Sequence, residues 1–383
     1  MHVPDGFINA QVSVATGVIS LGTLWAYVRN AKNLVADKLI ALTGMMSALI
    51  FVLQMINFPI AAGTSGHLLG GALAVIVLGP SLGIICISIV VVIQSLLFAD
   101  GGLSALGVNV LNMAIITSLT GWLTITFWKK LFGDSQFTLI SGSVIAGLLS
   151  VVFSSIAFVM EYAIGGTVSV PLGSVLIAMI STHLFIGLGE GIITALIISL
   201  LLRVRSDLVY ANTKKNKSNN LSTSYGIFIV LILSLTLVTP YASSSPDGLE
   251  SVASNFGFEE TDGVVLLLED YGISSVNNNF VSTIFRAILG VLSIAGLSTL
   301  FFRKKSGKVM TLQDVITVQR NRNQIMDEHT KREIRRAVLT AVAVPGYQVP
   351  FGSREMPVSR GWGSGGLQIT VAVVGKESVL KVY

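Results

Sequence analysis

The sequence predicts an all-α integral membrane protein of about seven transmembrane helices, followed by a two-helix unit and a small soluble tail. Three observations lead there. Of 383 residues, 52% are hydrophobic and only 12% are charged, about half the ~25% charged share of an ordinary soluble domain. The apolar residues gather into runs close to the ~20 residues that a helix needs to cross a hydrocarbon core. The basic residues stand at the ends of those runs and in the C-terminal tail, as cytoplasmic loops require. The net charge of +5 therefore points to a lipid bilayer and not to nucleic acid. A single cysteine, Cys86, makes no disulfide framework, cysteine zinc site or iron–sulfur cluster.

Taken in order, the chain begins Met1-His2-Val3-Pro4-Asp5-Gly6-Phe7. It lacks the basic region and small-residue cleavage site of a signal peptide, so this N-terminus is expected to stay in the mature protein. Spans follow at residues 8–28 and 39–58. The run 68–98 is apolar but broken at Gly79-Pro80, which suits two compact helices and a turn. Residues 103–128, 139–163 and 172–202 bring the count to seven, and 225–238 and 283–302 add two more. Basic clusters at Arg29, Lys32 and Lys38, at Lys129 and Lys130, at Arg203 to Lys217 and at Arg303 to Lys308 all fall on one side under this count. If that side is cytoplasmic, the N-terminus is outside. The stretch 243–282 carries seven acidic residues and no Lys or Arg, and falls outside too. A single long helix over 68–98 would invert everything before it.

Composition marks four segments. Residues 1–205 are a transmembrane domain, and 206–224 a polar, basic, Asn/Ser-rich linker. Residues 225–305 hold two spans around the acidic loop, and 306–383 are a cytoplasmic tail. Within the tail, 313–336 has helix-forming composition and 370–374 alternates like a short strand.

His2 is the most informative residue. A free N-terminus offers an α-amine, the peptide nitrogen of residue 2 lies next to it, and the His2 imidazole closes a second chelate ring. These three nitrogens lie in one plane once a metal displaces the amide proton. A fourth nitrogen, such as that of His67, completes a square suited to Ni(II) or Cu(II) rather than tetrahedral Zn(II). Because His2 is bulky, Met1 is expected to be retained and to supply the amine. Val3-Pro4-Asp5-Gly6 makes a stiff turn that folds the terminus back toward the membrane. The glycines at 63, 66, 70 and 71 around His67 allow close backbone approach. The residues alone leave another possibility open, in which His2 is an accident of an exposed terminus and His67 caps or packs a helix.

His183 and Glu190 lie seven residues apart, about 10 Å along one helix face, too far for one ion to bridge. With Gly187, Gly189 and Gly191 between them, tight helix packing or partner docking is the favoured role. A secondary metal transporter or channel built on His183 and Glu190 is the alternative. Gln94, Asn109 and Asn112 suit interhelical hydrogen bonds or support of a metal site. Glu161 is expected at the interface, and Asp100 at a helix end. The chain carries no phosphate-binding loop of the Gly-x-x-x-x-Gly-Lys-Ser/Thr type and few intramembrane carboxylates, so an importer of this kind needs an energy-supplying partner.

Met1-His2-Val-Pro-Asp-Gly-Phe7, Gln54-Met-Ile-Asn-Phe-Pro59, Gly63-Thr-Ser-Gly-His67-Leu-Leu-Gly-Gly71, Gln94 to Gly102 and Gly107 to Ala114 together resemble the CbiM/NikM family over residues 1–205. These are the membrane substrate-binding components of energy-coupling-factor importers for cobalt and nickel. The resemblance implies a metal held by the amine of Met1, the amide and imidazole nitrogens of His2, and His67. It implies no catalytic cofactor, Ni(II) or Co(II) as cargo, and a transmembrane coupling protein with two ATPase subunits as partners. It also implies the plasma membrane as location, with nickel enzymes or cobalamin synthesis as the metal's destination. Ser245-Pro-Asp-Gly-Leu-Glu250 between two spans resembles the PDGLE domain of the CbiN/NikN subunit, whose extracellular loop assists metal loading. Asp327 to Arg336, Val344 to Phe351, Ser353 to Pro357 and Gly361 to Val382 resemble the start of the carbon–phosphorus lyase core subunit. The cysteines of that family's iron–sulfur cluster and radical have no counterpart, so no lyase activity is expected. The tail is taken as an appended fragment, poorly ordered for want of a core.

Overall fold

The structure is a computed structural model that describes residues 1–32, 37–60, 64–213, 221–255 and 279–301, together with three short strands between 356 and 382. Residues Met1–Phe302 form one compact unit and Arg303–Tyr383 a second.

The first unit is a helical bundle. Its helices are α1 (Ala10–Lys32), α2 (Asp37–Gln54), α3 (Gly71–Leu78), α4 (Pro80–Phe98), α5 (Leu106–Asn109), α6 (Thr117–Phe132), α7 (Gln136–Gly165), α8 (Leu172–Arg205), α9 (Leu221–Val238), α10 (Gly248–Asn255) and α11 (Asn279–Phe301). A π-helical stretch, Val110–Ile116, joins α5 to α6 without a break, so Leu106–Phe132 is one 27-residue span. Among the described residues, six helices are long and apolar enough to cross a membrane, and Leu39–Gln54 and Gly226–Tyr241 are shorter apolar helices. Large apolar side chains such as Leu21, Trp25, Phe137, Ile164, Ile177 and Leu196 face outward, which only a lipid surround makes favourable.

The apolar run 68–98 breaks at Gly79, as expected, but its first half is not a full span. Helix α3 has eight residues, about 12 Å of rise, and every one is buried. It starts level with Glu190, near the middle of α8, since Glu190 bonds the amides of Leu69 and Gly70. It ends against the segment that follows α8, where Tyr210 N–H donates to Val77 O and Ala211 N–H to Ile76 O, both at 3.0 Å. The segment 64–70 that leads into it is buried throughout.

Helices α7 and α8 pack closely, as their glycines foretold. A β-carbon on Gly187 would meet Leu148 O at 2.9 Å, and one on Gly191 would run into Val144 O. Helices α9 and α11 pack on α2, and α10 lies on α8. In the second unit, β3 (Met356–Pro357), β4 (Ile369–Val374) and β5 (Glu377–Val382) form an antiparallel sheet in the order β3-β4-β5. The predicted strand is β4. The helix expected at 313–336 lies outside the described residues, as does most of the segment expected to be poorly ordered.

A candidate metal centre at the N-terminus

The chain enters the bundle N-terminus first. Met1 is 3% exposed and Val3 1%. Val3 is held at both ends: its N–H donates to Asn109 Oδ1 at 2.8 Å, and its carbonyl accepts from Asn109 Nδ2 at 3.1 Å and from Gly102 N–H at 2.9 Å. Asp5 accepts from Leu103 N–H at 3.2 Å, Ser104 N–H at 2.7 Å and Ser104 Oγ at 2.5 Å. Gly6 takes a positive φ of 79°, so the expected turn at Val3–Gly6 is present. The Gly101-Gly102 pair is needed for the passage: a β-carbon on Gly102 would collide with Asp5 N, and one on Gly101 would meet His2 Cβ at 3.2 Å.

His67 arrives from the other side, on the segment 64–70. Its short strand β2 (Ser65–Gly66) pairs antiparallel with β1 (Phe58–Pro59). Glu190 of α8 accepts from Leu69 N–H at 2.6 Å and Gly70 N–H at 3.1 Å, and Gln54 Nε2 donates to Leu69 O at 2.8 Å. Three bonds thus fix Leu69 and Gly70, two and three residues after His67. The ring itself is oriented by Nδ1–H, which donates to Leu68 O at 3.0 Å. That bond leaves the lone pair on Nε2, and Nε2 faces the Met1 amine at 2.8 Å.

Two nitrogens bound at ~2.0 Å to one ion and at right angles to each other are about 2.8 Å apart. The amine and His67 Nε2 already have that spacing, with a proton in the position an ion would take. In a plane of amine, amide, His2 ring and one further nitrogen, the fourth donor adjoins the amine on one side and the His2 ring on the other. The structure gives His67 both neighbours, because the His2 and His67 rings stack with centroids 5.1 Å apart and planes 14° from parallel. His2 Nδ1 is paired with Asp100 Oδ1 at 2.5 Å, so a chelate through Nδ1 requires the ring to leave Asp100. His2 Nε2 is buried and has no hydrogen-bond partner among the described residues. No group of three or more His, Cys, Asp or Glu side chains that could hold a metal occurs among the described residues. A centre here has to draw on backbone nitrogen.

Asp247 completes the enclosure. Its Oδ2 lies 2.6 Å from the Met1 amine and 3.5 Å from His67 Nε2. Burial pushes the Asp247 carboxyl up, but the amine and His67 beside it hold it well below the usual carboxylate range. Burial first, and then the positive amine, lower the pKa of His67, so its imidazole stays neutral at neutral pH. Partial burial raises the Asp100 carboxyl, and the neighbouring His2 more than offsets this and lowers it.

The family model described as the cobalt uptake substrate-specific transmembrane region, CbiM, matches residues 2–208. The chain belongs to the CbiM family. Among relatives of this CbiM-family chain, an Archaeoglobus fulgidus protein bearing the name of a fused nickel transport protein, NikMN, is 31% identical over 303 residues. That alignment covers 78% of this chain and 96% of the relative. The cobalt transport protein CbiM of Clostridioides difficile is 27% identical over 229 residues, covering 57% of this chain and 89% of its own. A crystal structure of a truncated transition metal transporter is 27% identical, covering 53% of this chain and 99% of the other, with a TM-score of 0.48. A second family model, phosphonate metabolism protein PhnJ, matches residues 319–383. There the chain is 67% identical over 57 residues to the alpha-D-ribose 1-methylphosphonate 5-phosphate C–P lyase of Escherichia coli, spanning 20% of that enzyme's length.

Of the sequence-predicted residues, Met1, His2 and His67 converge. His183 and Glu190 do not act together. Both Glu190 oxygens serve the His67 loop, whereas His183 Nδ1–H donates to Met179 O at 2.8 Å and its Nε2 has no partner among the described residues. Asn109 holds the terminus through Val3, whereas Asn112 makes interhelical hydrogen bonds to Glu161 and Ser154. Glu161, near the end of α7, is buried against the protein at 8% exposed and accepts from Asn112 Nδ2 at 2.6 Å. Asp100 is more than a helix-end residue, and Asp247 had no assigned role. The visible signal for Asp247 was its place in a capping box with Glu250; nothing local showed that its second oxygen reaches Met1.

Proposed function

We propose that this CbiM-family chain is the substrate-capture component of an energy-coupling-factor ABC importer for Ni(II) or Co(II). Met1 N, the His2 amide and imidazole and His67 Nε2 bind the ion on the outer side of the plasma membrane. A transmembrane coupling protein and two ATPase subunits drive delivery inward, toward nickel enzymes or cobalamin synthesis. Residues 225–305 act as a PDGLE-type unit whose loop lies outside with the N-terminus, while the tail is cytoplasmic. No lyase activity is assigned to the tail, which spans a fifth of the C–P lyase relative.

The observation that carries this proposal is the 2.8 Å approach of the Met1 amine to His67 Nε2 in a buried site, with the His2 ring stacked beside it. A neutral amine and a neutral imidazole at that spacing offer two cis nitrogen donors. The geometry suits a planar nitrogen set and favours Ni(II) on coordination preference, while the relatives' names include both metals. The test is the substitution His2→Ala, which keeps the amine and the His67 imidazole but removes the ring that closes the chelate. Loss of Ni(II) and Co(II) binding by the purified protein, and of uptake in cells, is the expected result. Unchanged binding would sink the proposal. Uptake into liposomes by the chain alone would instead support the secondary-transporter alternative, which the engagement of both Glu190 oxygens by backbone disfavours.

A further inference from the structure

We propose that Asp247 is the positioning residue of the metal-binding amine, contributed to the site by the segment between α9 and α11. This inference rests on the metal site proposed above, and it assigns a residue outside the family-matched region 2–208 to that site.

The two oxygens of Asp247 have separate partners. Oδ1 caps α10, accepting from Leu249 N–H at 2.8 Å and Glu250 N–H at 2.9 Å. That fixes the carboxylate plane and aims Oδ2 at the Met1 amine, 2.6 Å away. The turn carrying Asp247 is itself fastened to the His67 segment. Ser65 N–H donates to Pro246 O at 2.8 Å, Ser65 Oγ donates to Ser245 O at 2.7 Å, and Thr64 Oγ1 and Ser251 Oγ share a hydrogen bond of 3.0 Å. The same short stretch, 64–67, therefore positions both the imidazole donor and the group that holds the amine donor.

The ammonium makes two bonds, one to His67 Nε2 and one to Asp247 Oδ2. When an ion binds, the proton directed at His67 leaves to water and a metal–nitrogen bond takes its place. The nitrogen still carries hydrogens, and the one on Asp247 can stay. Asp247 thus turns the nitrogen so that the N–H which is given up to the ion faces the space shared with His67 before the ion arrives, and it holds the resulting lone pair there afterwards. It acts through the amine and not as a ligand.

The experiment uses the full chain in detergent with Ni(II) as probe. Asp247→Asn and Asp247→Ser both keep a side-chain oxygen for the α10 cap and remove the carboxylate, and His67→Ala is the control for the site. Ni(II) affinity, the visible spectrum of bound Ni(II), and the rate at which an amine-reactive ester labels the α-amine of the metal-free protein are measured. Removing a group that orients a metal ligand costs roughly 10–100-fold in affinity. Both Asp247 variants are expected to show that loss with an unchanged spectrum and faster labelling of the amine. Wild-type affinity and labelling in both variants would reduce Asp247 to a helix cap, and an altered spectrum would make it a ligand; either overturns the proposal. If His67→Ala binds Ni(II) like the wild type, the metal site itself falls. If it does not, a null result at Asp247 condemns the positioning role alone.

Discussion

His67 and His183 are both buried histidines with Nδ1–H tied to a backbone carbonyl, yet they face different surroundings. The Nε2 of His67 meets an amine, a second imidazole ring and a carboxylate. That of His183, in the middle of α8, has no partner among the described residues. A buried, oriented imidazole does not by itself make a candidate metal site. What separates the two is a second donor at cis spacing, which the inserted chain terminus supplies to His67.

The largest effect should come from removing that difference. His67→Ala is expected to lower Ni(II) affinity by more than ~100-fold, beyond the range seen when only a ligand's supporting partner is lost; isothermal titration of the purified protein measures it. Glu190→Ala should follow, at about 10–100-fold, because it frees the Leu69 and Gly70 amides that set the His67 loop. It should also cost stability, since each buried amide left unpaired costs roughly 1–3 kcal/mol, read as a lower unfolding temperature.

Acidification sharpens the comparison further. Binding releases the amide proton and any proton on the amine, so affinity should fall by about tenfold per pH unit for each proton released. His67 has a lowered pKa, so its imidazole stays neutral into acid and adds no further loss until below the ordinary range near ~6.5. By the same sign, the metal-free protein should lose stability as pH falls through that range, because there the unfolded chain binds a proton that folded His67 does not. A titration of Ni(II) affinity between neutral and mildly acid pH checks the slope. The smallest effect is expected at the other histidine: His183→Ala should leave Ni(II) affinity within about twofold, inside the variation ordinary for single contacts. A loss as large as that of His67→Ala would erase the distinction between them.

The helices were legible because apolar runs bounded by basic residues have one low-energy solution in lipid. Boundaries came within a few residues for α7 and α8. The exception, α3, shows the limit: a broken apolar run does not reveal whether both halves are long helices or whether one is a short helix led into by buried loop. The site was legible to the extent that chain chemistry dictates it. Met1 and His2 are joined covalently, and any metal that used one would find the other. The pairing of Glu161 with Asn112, inside the π-helical stretch Val110–Ile116, was not legible, because hydropathy does not record which side chain a buried carboxylate meets.

The sequence by itself determined the membrane environment, the helical runs and the candidacy of the Met1-His2 terminus and of His67, since each depends on local composition or on adjacent atoms. Only the tertiary structure decided that His67 Nε2 faces the amine, that Glu190 serves the His67 loop and not His183, and that Asp100 and Asp247 reach the terminus. Those facts join residues 66, 98, 121 and 246 positions apart in the chain. Their distances are set by helix packing and backbone hydrogen bonds, which no local pattern records.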